Sequence, residues 1–147
     1  QRSSKGWGLG VHCYQLAAQP EWLTADAAEF ELLISHRDQV TALPEGAQLL
    51  ARSEFCENAA FVLGDQVLCF QGHPEFTHDF SRALLQIRQS IYYPDEYQQA
   101  CASLLREHDG QQVALWMLNF IEHAKEASRA QIKARALALD RESLCLA

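Results

Sequence analysis

The sequence predicts an α/β chain, on three observations: short apolar runs broken by turn residues up to about residue 75, helical periodicity afterwards, and a proline, Pro74, at the changeover. Leu9 to Leu16 alternates at period two, with Leu9, Val11 and Cys13 on one side, as in a strand. Phe30 to Ile34 is a compact apolar run, closed downstream by the turn signal Leu43-Pro44-Glu45-Gly46. Gln48 to Arg52 and Ala59 to Leu63 follow. Gly64-Asp65 then reads as a hairpin turn into Gln66 to Gln71, which makes the last two runs antiparallel neighbours. Pro20 to Glu29 reads as a loop or a helical turn.

Beyond Pro74, Thr77 is placed to cap a helix, and Asp79 in its first turn suits the positive end of the dipole. Phe80, Leu84, Ile87 and Ile91 repeat along one face, and Pro94 ends the helix. Tyr97, Cys101, Leu104 and Leu105 mark a second helix, stopped by His108-Asp109-Gly110. A third carries Val113, Trp116, Met117, Phe120 and Ile121, and an alanine- and arginine-rich tail from about Ser128 continues it. The 147 residues form one domain or part of one, strand-rich over 1–76 and helical over 77–147.

An apolar fraction of 48% with 21% charged residues is that of a soluble globular chain. A net charge of -7 without clustered lysine or arginine excludes a phosphate-tracking surface, so neither nucleic acid nor an anionic membrane is an expected partner. No segment approaches the roughly 20 apolar residues of a membrane span, and Gln1 to Lys5 lacks a leader's apolar stretch. A cytoplasmic location is expected. Five cysteines at 13, 56, 69, 101 and 145, without a C-x-x-C, read as reduced, buried thiols. No Gly-rich phosphate loop is present, and no cofactor is expected: Gly6-Trp7-Gly8-Leu9-Gly10 has glycines at alternate positions and neither a following helix nor a lysine.

The most informative stretch is Phe70-Gln71-Gly72-His73-Pro74-Glu75-Phe76. A strand delivers His73 and Glu75, two apart and therefore on one side of an extended backbone, while Pro74 keeps His73 out of the helical region. A carboxylate on one imidazole nitrogen fixes the tautomer and leaves the other nitrogen to deprotonate a nucleophile. Two other readings fit the same residues: a surface ion pair in a turn, and a metal site with His73, Glu75 and His78 as ligands, against which the intervening proline argues.

Gln71-Gly72-His73-Pro74-Glu75 resembles the closing catalytic motif of class I glutamine amidotransferases. Ser35-His36-Arg37-Asp38-Gln39-Val40 with Leu43-Pro44 resembles the Ser-His-x-Asp-x-Val…Leu-Pro segment of members related to the amidotransferase domain of GMP synthase, and Lys5 to Val11 resembles the stretch before it. The motifs stand in family order over about residues 5 to 80. The resemblance implies the C-terminal part of a flavodoxin-like fold, with mixed sheet strands and a hairpin followed by helices. It implies hydrolysis of the glutamine side-chain amide through a cysteine thioester, with His73 as base and acid and Glu75 orienting it. Ser35, Arg37 and Asp38 match the region that holds substrate. A γ-glutamyl compound other than glutamine is an alternative substrate.

The family's nucleophile sits in a Gly-x-Cys-x-Gly elbow that precedes the Gly-Trp-Gly stretch, and none of the five cysteines has that setting. The resemblance therefore implies that the cysteine comes from an N-terminal segment or a partner chain. It also implies that the 147 residues alone are inactive, or serve as an interaction module. Because the family sheet is largely parallel, the chain alone is expected to leave a strand edge unpaired and one helix layer missing, and so to associate or to be marginally folded.

Overall fold

A computed structural model describes residues 1–25 and 28–145, with side chains through residue 135. Five strands, β1 (Gly8–Leu16), β2 (Glu29–His36), β3 (Gln48–Ser53), β4 (Ala60–Leu63) and β5 (Val67–Phe70), form one sheet in the order β2-β1-β3-β4-β5. Three α-helices follow: α1 (His78–Ile87), α2 (Pro94–Ser103) and α3 (Gly110–Cys145). The α/β class and every element read from periodicity are present. Pro20 to Ala25 is a loop with a turn, while Asp26 and Ala27 lie outside the described residues.

All four strand pairings are antiparallel, so the parallel component implied by the family fold is not within this sheet. The sheet's β1–β2 end is also covered on both faces, which corrects the expectation of a missing helix layer there. Alternate β2 side chains go opposite ways: Phe30, Leu32 and Ile34 join Val113, Trp116 and Phe120 of α3, while Leu33 joins Leu9, Val11 and residues of α1 and α2. Trp116 is fully buried, edge-on to Phe30 at 5.2 Å, and its Nε1 donates to the Thr24 carbonyl at 2.6 Å.

The alternate glycines of the first motif are packing devices. Gly10, at φ +80°, stands where a Cβ would meet Ser103 Oγ and, at 2.9 Å, the Ala100 carbonyl oxygen of α2. Gly6, also at positive φ, leaves room for the Glu96 carboxylate, which accepts the Trp7 N–H at 3.2 Å and the Tyr93 N–H at 3.2 Å. Helix α2 can thus lie directly on β1.

Three sequence expectations are corrected. Pro94 begins α2 instead of ending α1, which stops at Ile87 before a single 3-10 turn, Gln89–Ile91. The apolar stripe read from Phe80 to Ile91 faces outward: Phe80 is 50% and Ile87 81% exposed in α1, Ile91 in the turn after it is 55% exposed, and the side of α1 turned inward carries Ser81 and Leu85. Cys13, read as buried, is exposed.

Candidate active site

The His-Pro-Glu turn is held to the outer edge of β2. Gln71 N–H donates to the Ala59 carbonyl, and the next step of the chain, Gly72, is buried where a Cβ would stand 2.8 Å from the Tyr14 hydroxyl and 3.0 Å from Leu32. Any larger residue would push the strand away from β1 and β2. His73 N–H then donates to the Leu33 carbonyl at 2.8 Å, an isolated antiparallel bridge, and Phe76 N–H donates back to the His73 carbonyl at 3.3 Å. Thr77 caps α1 by accepting the Phe80 N–H at 3.1 Å, as read from the sequence.

Within this turn His73 Nδ1 and Glu75 Oε1 lie 2.8 Å apart. The Phe76 ring stacks on the imidazole at 3.9 Å and 5°, and is itself backed edge-on by Phe80 at 4.5 Å. Burial works against the Glu75 charge, but the His73 hydrogen bond, the residue's own backbone N–H and the imidazole's charge together hold the carboxyl below its usual range. An ionised Glu75 only accepts, so Nδ1 is the donor of this bond, and the neutral form of the ring then has its lone pair on Nε2, where a proton can be taken up. The pair is therefore competent as a base with its orienter.

Ser35, Arg37 and Asp38 end β2 and continue its line. Ser35 lies two residues beyond Leu33 and so presents its backbone on the edge that carries His73. Ser35 Oγ and Arg37 Nε are buried without a hydrogen-bond partner, while the Arg37 carbonyl accepts the Ser3 N–H and the exposed Asp38 pairs through its backbone with Arg2 in an isolated antiparallel β-bridge. Between them stands His36, which the sequence reading passed over. Its Nδ1 donates to the Asp38 carbonyl at 2.9 Å, its ring lies edge-on to Phe55 at 5.6 Å, and its Nε2 is buried and unpartnered. Burial depresses its pKa, against the pull of the Asp38 carbonyl, and the charge of nearby His73 depresses it further. Phe76 was also missed, although it follows the motif directly. An aromatic next to such a turn carries no sequence mark that separates ring stacking from ordinary core.

The metal alternative loses its third ligand: His78 Nε2 donates to the Arg106 carbonyl at 2.7 Å. Among the described residues no group of three or more His, Cys, Asp or Glu side chains can hold a metal ion. No helix among them is long and apolar enough to cross a membrane.

The four described thiols are free. Cys56 is buried, accepts from Gln71 Nε2, and its pKa is pushed up by that burial. Cys13, although exposed, is pushed up by partial loss of solvent and by Glu29 and Glu31. Neither setting favours a thiolate. Cys69 lies in β5 and Cys101 packs against the α1–α2 side of the core. The Cys145 side chain lies outside the described residues.

No family model matches the chain. Similar curated proteins include a glutamine amidotransferase-like protein of Saccharomyces cerevisiae, 35% identical over 122 residues, covering 80% of this chain and 47% of its own length. Gamma-glutamyl peptidase 3 of Arabidopsis thaliana is 37% identical over 84 residues, covering 53% of this chain and 34% of its own. The glutamine-hydrolysing GMP synthase of Streptococcus mutans is 34% identical over 79 residues, 52% of this chain and 15% of its own length. Among solved structures, a glutamine amidotransferase from Methylobacillus flagellatus superposes with a TM-score of 0.62 at 25% identity, over 84% of this chain and 53% of that one. The chain thus spans about half the length, or less, of the proteins it matches. Sequence and fold agree with the ordered motifs that end in His73 and Glu75, and the chain belongs to the class I glutamine amidotransferase-like proteins.

Proposed function

We propose that His73 and Glu75 are the base-and-orienter part of a cysteine-dependent hydrolase of γ-glutamyl amides, with glutamine as the first substrate. The observation that carries this is the 2.8 Å contact between His73 Nδ1 and Glu75 Oε1, in a turn that frees Nε2 for proton transfer. His73 takes the proton of a cysteine thiol, the thiolate attacks the side-chain carbonyl, and His73 returns the proton to the leaving ammonia. Water, deprotonated by His73, then cleaves the thioester and regenerates the thiol. Ser35, Arg37 and Asp38 are proposed to hold the substrate, which agrees with the unpartnered Ser35 Oγ and Arg37 Nε.

The thiol is proposed to come from a further segment or a partner chain, because neither Cys13 nor Cys56 has a setting that activates it. The 147 residues, divided at about residue 76, are then part of a larger amidotransferase domain acting in the cytoplasm, and by themselves they are inert or an interaction module. Supplying a segment with a Gly-x-Cys-x-Gly elbow should yield ammonia from glutamine, and His73→Ala should abolish it. Unchanged turnover in His73→Ala would overturn the assignment. Labelling of the chain alone by an electrophilic glutamine analogue, at a rate that depends on His73, would overturn its inertness.

A second reading takes γ-glutamyl compounds larger than glutamine as substrate, in line with the gamma-glutamyl peptidase among the similar proteins. Comparing turnover of glutamine with that of a γ-glutamyl dipeptide in the completed protein separates the two.

A further inference from the structure

His108-Asp109-Gly110, read from sequence only as a stop between helices, is tied to the His-Pro-Glu turn in two ways, through the β2 edge that both share and through Gly110 against Pro74. On the outer edge of β2, residues two apart present their backbone groups side by side. One such position is Leu33, whose carbonyl accepts His73 N–H at 2.8 Å. The next is Glu31, which exchanges two hydrogen bonds with Asp109: Asp109 N–H donates to the Glu31 carbonyl at 2.7 Å, and Glu31 N–H donates to Asp109 Oδ2 at 2.7 Å. A carboxylate here completes a rung that a strand would otherwise supply, through a charge-assisted bond. Arg106 braces the same rung, with Nη1 on Glu31 Oε1 at 2.7 Å and Nη2 on the Val11 carbonyl.

The second direction is steric. A Cβ on Gly110 would stand 2.5 Å from the carbonyl oxygen of Pro74, the residue between His73 and Glu75. Helix α3 therefore begins in direct contact with the backbone of the pair. We propose that His108-Asp109-Gly110 is a positioning element for His73 and Glu75. Asp109 sets the height of the α3 start on the β2 edge, and Gly110 sets how closely it stands against Pro74. A shift of a few tenths of an ångström in Pro74 turns the side chains on both sides of it, and the Nδ1–Oε1 contact depends on both. The catalytic meaning of this element rests on the proposed role of His73 and Glu75, whereas its geometric effect does not.

The test is imidazole ¹⁵N and carboxyl ¹³C NMR on the 147-residue chain, comparing the parent with Gly110→Ala, Asp109→Ala, Asp109→Asn and Val113→Ala. Gly110→Ala and Asp109→Ala should speed exchange of the His73 Nδ1 proton about tenfold, the factor given by losing one ordinary hydrogen bond, and should raise the pH at which Glu75 titrates. Asp109→Asn keeps an acceptor for Glu31 N–H and should retain the parent behaviour. Val113→Ala, buried on the same helix, should lower the melting temperature and leave both signals in place. Unmoved His73 and Glu75 signals in both alanine variants would overturn the proposal and leave Asp109 and Gly110 as anchors of α3 alone. If Gly110→Ala does not fold, the contrast between Asp109→Ala and Asp109→Asn decides. Failure of the catalytic reading shows elsewhere, as turnover that survives His73→Ala in the completed protein.

Discussion

Helices α1 and α3 carry the same sequence signal and meet different fates. Each repeats large apolar residues at three and four positions, and each begins beside the His-Pro-Glu turn or packs near it. Val113, Trp116 and Phe120 of α3 are buried against the β1–β2 surface and the Pro20–Ala25 loop, whereas Phe80 and Ile87 of α1 lie exposed. The difference is the surface opposite. Trp116 meets Phe30 and the Thr24 carbonyl, while α1 turns Ser81 and Leu85 to the sheet. Periodicity tells which residues share a face; burial needs a partner, and the free energy follows burial.

The sharpest way to break this comparison is Trp116→Ala. It removes a fully buried indole and its bond to Thr24, and should cost about 3–5 kcal/mol in urea unfolding. A loss below about 1 kcal/mol would mean that α3 is not the core helix. Next in size is Gly10→Ala at the β1–α2 contact, where a side chain is opposed both by φ and by the Ala100 carbonyl. About 2–4 kcal/mol is expected. A neutral result would show that α2 can stand farther from β1.

Elements built on local pattern were legible from sequence. The alternation of Leu9 and Val11, the Gly64 turn and the Thr77 cap all act over a few residues. So was the His73–Glu75 pair, because residues two apart in extended chain share a side. What escaped was long-range. Gly6 and Gly10 are explained by a helix some ninety positions downstream, Asp109 by Glu31, and the packing of the His36 ring by Phe55 and Asp38. Pro94 illustrates a local signal with two meanings, since a proline cannot continue a helix but fits the first turn of the next. The α1 stripe was legible as a stripe, but its exposure was not, because no residue within it encodes what lies opposite.

Acid should weaken the site region before it weakens the rest. Burial depresses the pKa of His12, His36 and His108 below the ordinary 6.5. Between that value and the depressed one the unfolded chain binds more protons, so stability is complete above about pH 6.5 and is lost as pH falls through this window. Glu75 adds a second loss, present above its ordinary 4.5 and removed as pH falls below it. The urea midpoint should therefore drop between pH 7.5 and 5.5, with line broadening first around His12 and His36. A midpoint that rises on acidification would contradict the lowering of these pKa values by partial burial.

The smallest effect on stability is expected where the apolar stripe is exposed, and there the informative quantity is association. Ile87 and Leu118 are 81% and 58% exposed, so Ile87→Lys and Leu118→Gln should each change unfolding free energy by no more than about 0.5 kcal/mol. The same side chains, with Phe80, Leu115 and Ile121, give the helices apolar outer faces of the kind that seek cover in water. The parent chain should sediment with a concentration-dependent mass, and the double variant should remain monomeric to higher concentration with an unchanged urea midpoint. A parent that is monomeric throughout and melts cooperatively would show that these faces are tolerated as ordinary surface. A double variant that loses stability would show that they belong to the core after all. In either case the contrast between α1 and α3 would have to be redrawn from the Trp116 side, where burial is settled by contacts within the chain.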